Sequence, residues 1–469
     1  MPVLTVCELW NALRQDHLAD WIKYHHAVPD TDSTAARKGM LEASKHGEAV
    51  ADLLGVEREV VTMPLLDSTS NVMVRVMVVP GVKIAETFNT AKVDIGKDYP
   101  IITTTSRLRS KDGSLPKNAD SQRVGVKLAI ACSALDVDLG FVVGRDMECA
   151  SYNYRLDAYF RKVLQTCAAW AHFFEANKAG MTILASSELR PNMVAKNDDS
   201  NIQKIKHKLA IECEELTLIK HVGLKQRQLA NERGIFKWSD PNLNSSVMGF
   251  KQGGSKARLV DIILNANRSP PEVFDHEKIR SSCQKGDAFI DLETSCLYGV
   301  TNYIFMVGLG WNDGEFEQFT VENPDDDDEK RLVDALFRRL IELGIRRLLH
   351  WAPHEYVVFK TIDKRHSSQF TEHFEFVDMC ARVDALGFCP KGAFNLSLKS
   401  VVPAMHAQGM VQTLWSSDCQ DGRDAMYSAQ HAYHVRDKNI LDDIGRYNKV
   451  DVEVTMEIWR FLASTNRFI

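Results

Sequence analysis

Two carboxylates lie two residues apart in an apolar stretch of the chain. Asp291 and Glu293 follow Phe289 and Ile290 and are separated by Leu292. Side chains two apart on a β-strand point to the same face, so this spacing places both acids side by side. On a buried strand they would repel each other and lack water, and a bound divalent cation removes both penalties. The pair therefore predicts a metal site, with a solvated edge strand as the alternative.

A third acid follows a later apolar run, in the sequence His350-Trp351-Ala352-Pro353-His354-Glu355. Proline is favoured in the first turn of a helix, so Pro353 predicts a helix with Glu355 near its start. His350 and His354 have the spacing of a zinc-binding pair, but Pro353 interrupts the continuous helix that such a pair needs. We therefore expect Glu355, and not a zinc ion, to carry the chemistry of this stretch.

The last chemical motif is a tyrosine and an aspartate, Tyr447 and Asp451, four residues apart. Residues at this spacing share a helix face. The apolar residues Val450, Val454 and Ile458 predict an amphipathic helix that buries the adjacent face. We expect Asp451 to be half-buried at the edge of that face, with an ordinary solvated acid as the alternative.

The apolar pattern from Gly286 onward predicts the elements that carry these residues. Their order is strand, strand, strand, helix, strand, helix, with strands at 288–293, 302–310, 316–321 and 347–351 and the first helix running through Leu343. The acidic run Asp325–Glu329 opens that helix, where negative charge is favourable, so we interpret it as a helix start and not as a metal site. A three-stranded meander followed by a helix and a further strand is typical of a ribonuclease H-like core.

Together the three motifs resemble the DEDD 3'-5' exonuclease superfamily, and more narrowly its DEDDy branch with a YprB-type ribonuclease H-like domain. Phe289–Thr294 is similar to the first motif of that family, and Tyr447 with Asp451 matches the third. Glu355 stands where the second motif carries Asp. Because Glu355 is one methylene longer, Asp378 is an alternative ligand.

Two further stretches between these motifs, Phe376–Asp378 and Ser397–Lys399, resemble RecB-related proteins that carry this domain. The resemblance implies hydrolysis of phosphodiester bonds with two divalent ions about 4 Å apart. Hard carboxylate oxygens suit Mg²⁺ or Mn²⁺. The metal ligands it implies are Asp291, Glu293, Glu355 and Asp451, and it implies that the Tyr447 hydroxyl orients the attacking water.

The N-terminal part has a mixed α/β pattern, which predicts helices near 6–13, 40–54 and 125–135 and a buried strand at 139–144. It weakly resembles a RecB-family PD-(D/E)XK nuclease domain with a restriction-endonuclease-like fold. The stretches that carry the resemblance are Trp21–His25, His46–Glu48 and 112–145. That family needs an acid and a Lys on a central strand, but the matching Ile101–Thr105 has neither. On the following helix, Lys127 and Ala131 replace the expected Gln and Tyr. We predict a domain that has lost catalysis and still contacts nucleic acid.

The middle of the chain is basic, and its sequence pattern predicts a set of short helices. Between Lys196 and Val260 there are 12 Lys and Arg against 7 Asp and Glu, a local charge of +5. A helix ended by Gly234-Ile235 and followed by Trp238–Pro241 resembles a helix-hairpin-helix element, which presents N–H groups and basic side chains to phosphate. A small connecting helical bundle with a solvated basic face remains the alternative.

Composition limits the remaining classes of protein. The 469 residues, 45% hydrophobic and 26% charged, are ordinary for a globular chain of about three domains. Ten scattered cysteines without a CxxC pair argue against a zinc finger or a disulfide framework, and we expect reduced thiols in an intracellular setting. The start of the chain lacks a signal-peptide pattern, and we expect no membrane-spanning stretch.

The sequence thus predicts an α/β multidomain protein: a degenerate nuclease domain at 1–199, a basic helical segment at 200–282 and a ribonuclease H-like exonuclease domain at 283–469. The ribonuclease H-like fold implies a mixed five-stranded sheet with flanking helices for the last of these. The leading hypothesis is a metal-dependent nuclease, a 3'-5' exonuclease that acts on DNA or RNA. A structure-selective endonuclease or ribonuclease on the same fold is one alternative. The other is a catalytically inactive scaffold that binds nucleic acid.

Overall fold

The chain divides into two compact units, Met1–Cys213 and Glu214–Ile469. This computed structural model describes residues 15–25, 59–67, 70–78, 101–103, 137–144, 149–153, parts of 169–197, 200–270, 285–297, 300–312, 314–324, 326–416 and 422–465. This division places residues 214–270 in the same unit as the C-terminal sheet. The domain boundaries after residues 199 and 282 stay a prediction. No helix among these residues is long and apolar enough to cross a membrane.

The first unit contains two helices and two small sheets in its described parts. Helix α1 is His17–His25 and helix α2 is Ser200–Glu212. Strands β1, Glu59–Asp67, and β2, Ser70–Val78, form an antiparallel hairpin. A three-stranded sheet has the order β3-β4-β5, with β3 at Ile101–Thr103, β4 at Leu139–Val143 and β5 at Cys149–Asn153.

The resemblance of this first unit to a nuclease domain stays a prediction. Its predicted helices near 6–13, 40–54 and 125–135 lie outside the described residues, as do 46–48, Lys127 and Ala131. The strand predicted at 139–144 is confirmed as β4, which pairs in parallel with β3 and antiparallel with β5.

The second unit begins with the basic helical segment. A 3-10 turn at Leu216–Leu218 is followed by helix α3, Leu224–Asn231, and helix α4, Ser255–Arg268. The chain leaves α3 through Gly234, whose positive φ of 77° favours glycine. The Arg268 guanidinium donates to the carbonyl oxygens of Trp238 and Leu243 and holds the long connection between the two helices. That this basic segment acts as a helix-hairpin-helix element stays a prediction.

A mixed five-stranded sheet forms the centre of this unit. Its strands are β6 Asp287–Leu297, β7 Val300–Trp311, β8 Glu315–Thr320, β9 Arg347–His350 and β10 Glu375–Asp378, in the order β10-β9-β6-β7-β8. The meander β6-β7-β8 is antiparallel, while β9 and β10 run parallel to β6. The predicted mixed sheet is confirmed and is consistent with a ribonuclease H-like fold.

Seven helices of the described chain follow the meander. They are α5 Asp326–Glu342, α6 His354–His366, α7 Phe370–His373, α8 Met379–Leu386, α9 Leu398–His406, α10 Gly422–Val435 and α11 Lys438–Ser464. Helices α10 and α11 pack on β6, and α11 also packs on β7. The sheet and several of these helices enclose an apolar core that includes Phe305, Leu336, Phe359 and Ile444.

One residue of the acidic run, Glu329, also connects helix α5 to neighbouring elements. Glu329 is fully buried and accepts hydrogen bonds from the Ile304 N–H, at 2.7 Å, and from the Arg365 guanidinium. His366 Nε2 lies 2.7 Å from the same carboxylate. This acid therefore ties α5 to β7 and α6, because a buried carboxylate needs partners of this kind.

Helix α11 lies unusually close to the sheet because three glycines leave room for it. A Cβ on Gly310 would lie 2.6 Å from Val452 and 2.8 Å from the Met456 sulfur, and a Cβ on Gly308 would overlap the Asn448 amide. Gly445 of α11 itself faces Gln318 of β8 in the same way. This close packing brings the polar residues of α11 within reach of β6.

Candidate metal centre

Three of the predicted acids converge at one place. Asp291 and Glu293 of β6 and Asp451 of α11 each offer an oxygen, and these oxygens all lie within 4.8 Å of one another. Asp291 pairs with Gly308 and Glu293 with Met306 in β7, which fixes both side chains on the same face. Glu293 and Asp451 are buried, so Asp451 is more deeply enclosed than the half-buried position that its sequence pattern predicted.

Glu355 lies beside this group but outside it. Helix α6 begins at His354 after Pro353, as predicted, and this places Glu355 in the first turn, just after β9 ends. The side chain is 4% exposed, and its Oε2 has no hydrogen-bond partner among the described atoms, although His350 Nδ1 lies 3.3 Å away. Its charge is near enough to raise the pKa of Asp291, Glu293 and Asp451.

The acids raise each other's pKa. Loss of water around the carboxylates raises the pKa of Asp291 and of Glu293 well above the ordinary values, and repulsion from Asp451 adds to both shifts. Burial also raises the pKa of Asp451, to about 6. Ionised carboxylates at such separations repel by on the order of 3–4 kcal/mol per pair at an effective dielectric constant of 20. A neutral hydrogen bond stabilises by about 1 kcal/mol, so neutral donors alone do not offset this repulsion.

Among the residues that the structure describes, one cation acts on the group. Lys399, in the first turn of α9, holds its ammonium 3.6 Å from the centre of the Trp415 ring and 4.3 Å from that of the Tyr447 ring. Its charge lowers the pKa of Glu293 and of Asp451. In the sequence, Ser397–Lys399 is marked only by a family resemblance, and only the fold shows that the charge of this lysine acts on the acids.

Trp415 and Tyr447 both donate to Asp451. Trp415 Nε1 lies 2.8 Å from Asp451 Oδ1, and the Tyr447 hydroxyl, one helical turn before Asp451, also donates to that carboxylate. Burial and the neighbouring acids raise the pKa of Tyr447, so its hydroxyl keeps its proton and acts as a donor. Trp415 follows α9 in an irregular connection, and its sequence context contains no signal of this contact.

Asn448 is a second residue that sequence reasoning missed. Its Nδ2 donates to Asp291 Oδ2 at 2.7 Å and to the Asp291 main-chain oxygen at 3.2 Å. The apolar pattern contains no signal of this contact, because at about 3.6 residues per turn Asn448 lies roughly 120° around the helix from the stripe Val450, Val454 and Ile458.

The remaining predicted residues have other partners. Asp378, the alternative ligand, ends β10 and accepts from the Ala381 N–H at 2.9 Å, so it caps α8 and lies outside the group of three acids. His350 Nδ1 lies 2.6 Å from the Ala352 carbonyl oxygen, and His354 Nε2 lies 3.3 Å from the Thr294 hydroxyl. The two histidines thus contact different groups.

Comparison with known proteins assigns the C-terminal region. Residues 288–463 match the RNase_H_2 family, described as RNase H superfamily. No curated protein matches the chain. The matched range contains all five sheet strands except the first residue of β6, and it includes the three clustered acids and Glu355. The C-terminal region is therefore a ribonuclease H-like domain, which indicates a nuclease-type function and a nucleic-acid substrate.

Proposed function

We propose that this protein is a metal-dependent nuclease, and that its ribonuclease H-like domain removes nucleotides from the 3' end of a nucleic acid. The observation that carries the proposal is the convergence of Asp291, Glu293 and Asp451 within 4.8 Å, from two elements far apart in the chain. A group of buried acids beside a polyanionic substrate is unfavourable unless cations accompany it. The 3' polarity rests on the resemblance of the Tyr447 and Asp451 spacing to the DEDDy branch.

The donor set fits Mg²⁺ or Mn²⁺. Every candidate ligand is a carboxylate, and hard oxygen ligands select these ions over metals that prefer nitrogen or sulfur. Asp291, Glu293 and Asp451 would hold an ion, and Glu355 would complete the site for a second one. A bound divalent cation lowers the pKa of water and stabilises negative charge on phosphate oxygens.

The other residues have separate tasks around these ligands. The Tyr447 hydroxyl keeps a proton and orients a water molecule, while Trp415 holds Asp451 in one rotamer through its N–H. The Lys399 ammonium, steered by the two aromatic rings, attracts a phosphate oxygen into the site. The basic segment 214–270 of the same unit contributes further positive charge for the strand outside the site.

Cleavage of end-labelled nucleic acid tests this proposal. Wild-type protein with Mn²⁺ should shorten single-stranded DNA or RNA stepwise from the 3' end, and Asp291→Asn should abolish this activity. A matched control is Asp287→Asn, on the same strand, whose carboxylate lies outside the group and binds Arg347 at 2.7 Å. That variant should lose stability but retain cleavage.

Three results would contradict parts of the proposal. Internal cuts would favour an endonuclease or ribonuclease. Nucleic-acid binding without cleavage by wild-type protein would favour an inactive scaffold. Equal loss of activity in both Asp variants would mean that the effect of Asp291→Asn is only structural.

A further inference from the structure

Asn448 occupies the closest approach of α11 to the sheet. The residue is fully buried, one position after Tyr447, and its Nδ2 contacts Asp291 at two atoms, the carboxylate oxygen Oδ2 and the main-chain oxygen. The contact to the main-chain oxygen fixes the amide relative to strand β6. The contact to Oδ2 then fixes the plane of the carboxylate relative to the same strand.

The nitrogen and the oxygen of the Asn448 amide have different surroundings. The Asn448 Oδ1 has no hydrogen-bond partner among the described atoms and faces Gly308, where a Cβ would overlap it. Asn267, another buried asparagine of this unit, uses both ends: it donates to the Ile263 and Ala393 oxygens and accepts from the Gly392 N–H. A purely structural asparagine is expected to resemble Asn267, because an unpaired buried acceptor is destabilising.

The orientation of Asn448 therefore follows from Asp291. Rotating the amide by half a turn would place Oδ1 against the Asp291 main-chain oxygen, two acceptors in contact, so the donor end must face β6. A neutral donor is also the suitable partner for a carboxylate that must receive a cation, since a Lys or Arg there would compete with the ion for the same oxygen.

We propose that Asn448 is a positioning residue that presents the Asp291 carboxylate to a divalent cation, with Gly308 supplying the space that the amide requires. This inference rests on the proposed function. Residues that orient a metal ligand contribute strongly to metal affinity, and their loss typically weakens binding by about 10–100-fold.

Metal binding by the full-length protein tests the inference apart from activity. The Mn²⁺ concentration that gives half of the metal-induced rise in thermal unfolding temperature is measured for wild type and for Asn448→Thr, which is similar in size but lacks the amide. We expect that concentration to increase by about 10-fold or more. At saturating Mn²⁺, the KM for a labelled oligonucleotide should stay within about twofold of wild type and kcat should recover.

Asn267→Thr is the matched control, since it removes a buried amide of the same unit away from the acids. It should lower the unfolding temperature without changing the half-saturating Mn²⁺ concentration. Asn448→Ala, and Gly308→Ala, which displaces the amide through β7, give second routes if Asn448→Thr does not fold. An unchanged half-saturating concentration in the Asn448 variants, or an equal change in Asn267→Thr, would overturn the inference. Failure of wild type to bind Mn²⁺ would instead contradict the proposed function.

Discussion

Asp451 differs from the two strand acids in how many favourable contacts it receives. Trp415 and Tyr447 donate to its carboxylate, and the Lys399 charge favours its ionised form, so burial raises its pKa only to about 6. Asp291 receives one donor, from Asn448, and its pKa is raised well above the ordinary value. Without a cation, all three acids therefore keep protons to higher pH than ordinary carboxyls do, and cation binding must displace those protons.

Stability should depend on pH and Mn²⁺ together. A carboxyl whose pKa is raised by folding binds protons more tightly in the folded state, so the free energy of unfolding falls as pH rises from about 4 to the folded pKa of about 6. A bound cation removes this penalty only where the acids are ionised. We expect the rise in unfolding temperature caused by Mn²⁺ to grow between about pH 5 and pH 7.

Calorimetry with and without Mn²⁺ across this range measures the effect. Asp451→Asn should reduce the rise and flatten its pH dependence, because one of the titrating ligands is gone. A rise in unfolding temperature that is constant with pH in the wild type would show that the acids are not the groups that bind Mn²⁺.

Some residues of the site could be predicted from the sequence and others could not. Asp291 with Glu293, and Tyr447 with Asp451, follow from the two-residue period of a strand and the 3.6-residue period of a helix. Trp415 lies in an irregular connection and Lys399 starts a short helix, so their contacts with the acids depend on how the chain folds back after β10. No local pattern encodes that return.

At the scale of secondary-structure elements, the close packing of α11 on the sheet depends on the glycines of β7. Gly308→Ala and Gly310→Ala both add a methyl group to β7 beneath α11, and overpacking of this kind destabilises by about 1–3 kcal/mol. The added Cβ at Gly310 meets a Val452 methyl group and the Met456 sulfur, whereas at Gly308 it meets the Asn448 amide. Urea unfolding should show similar losses of stability for the two variants.

Their metal dependence should differ. Only Gly308→Ala is expected to raise the Mn²⁺ concentration needed for half-saturation, because only it displaces the donor to Asp291. If both variants raise it equally, the general tilt of α11, and not the Asn448 contact, would determine metal affinity.

The elements themselves were predictable where the apolar period is regular. The meander β6-β7-β8, helix α5 and strand β9 lie within a few residues of their predicted bounds, since each has a clear period and a turn after it. Strand β10 is four residues long and was not predicted as a strand, because so short a run has too few residues to show a period. Its place at the sheet edge comes from pairing with β9.

At the scale of the whole molecule, the helical segment 214–270 belongs to the same unit as the sheet. The Lys220 N–H donates to the Phe394 oxygen at 2.9 Å, the Asn267 amide binds residues 392–393, and Trp238 packs edge-on against Phe394. These contacts hold residues 392–394. The chain continues from there to Leu396, whose main-chain oxygen accepts a hydrogen bond from Trp351 Nε1, and then to Lys399 in the first turn of α9. The segment thus supports the connection that brings the lysine to the acids.

This arrangement predicts how fragments of the chain behave. A fragment of residues 214–469 keeps all of these contacts and should unfold in one cooperative transition. A fragment of residues 283–469, cut at the predicted domain limit, loses α4, whose Val260, Ile263 and Leu264 are buried, and leaves the oxygens of Ala393 and Phe394 without their donors. Exposed apolar surface and unpaired buried oxygens are both destabilising, so this shorter fragment should unfold at a lower temperature. Equal unfolding temperatures would instead show that the sheet and its helices fold without the basic segment, which would then serve only the nucleic acid outside the site.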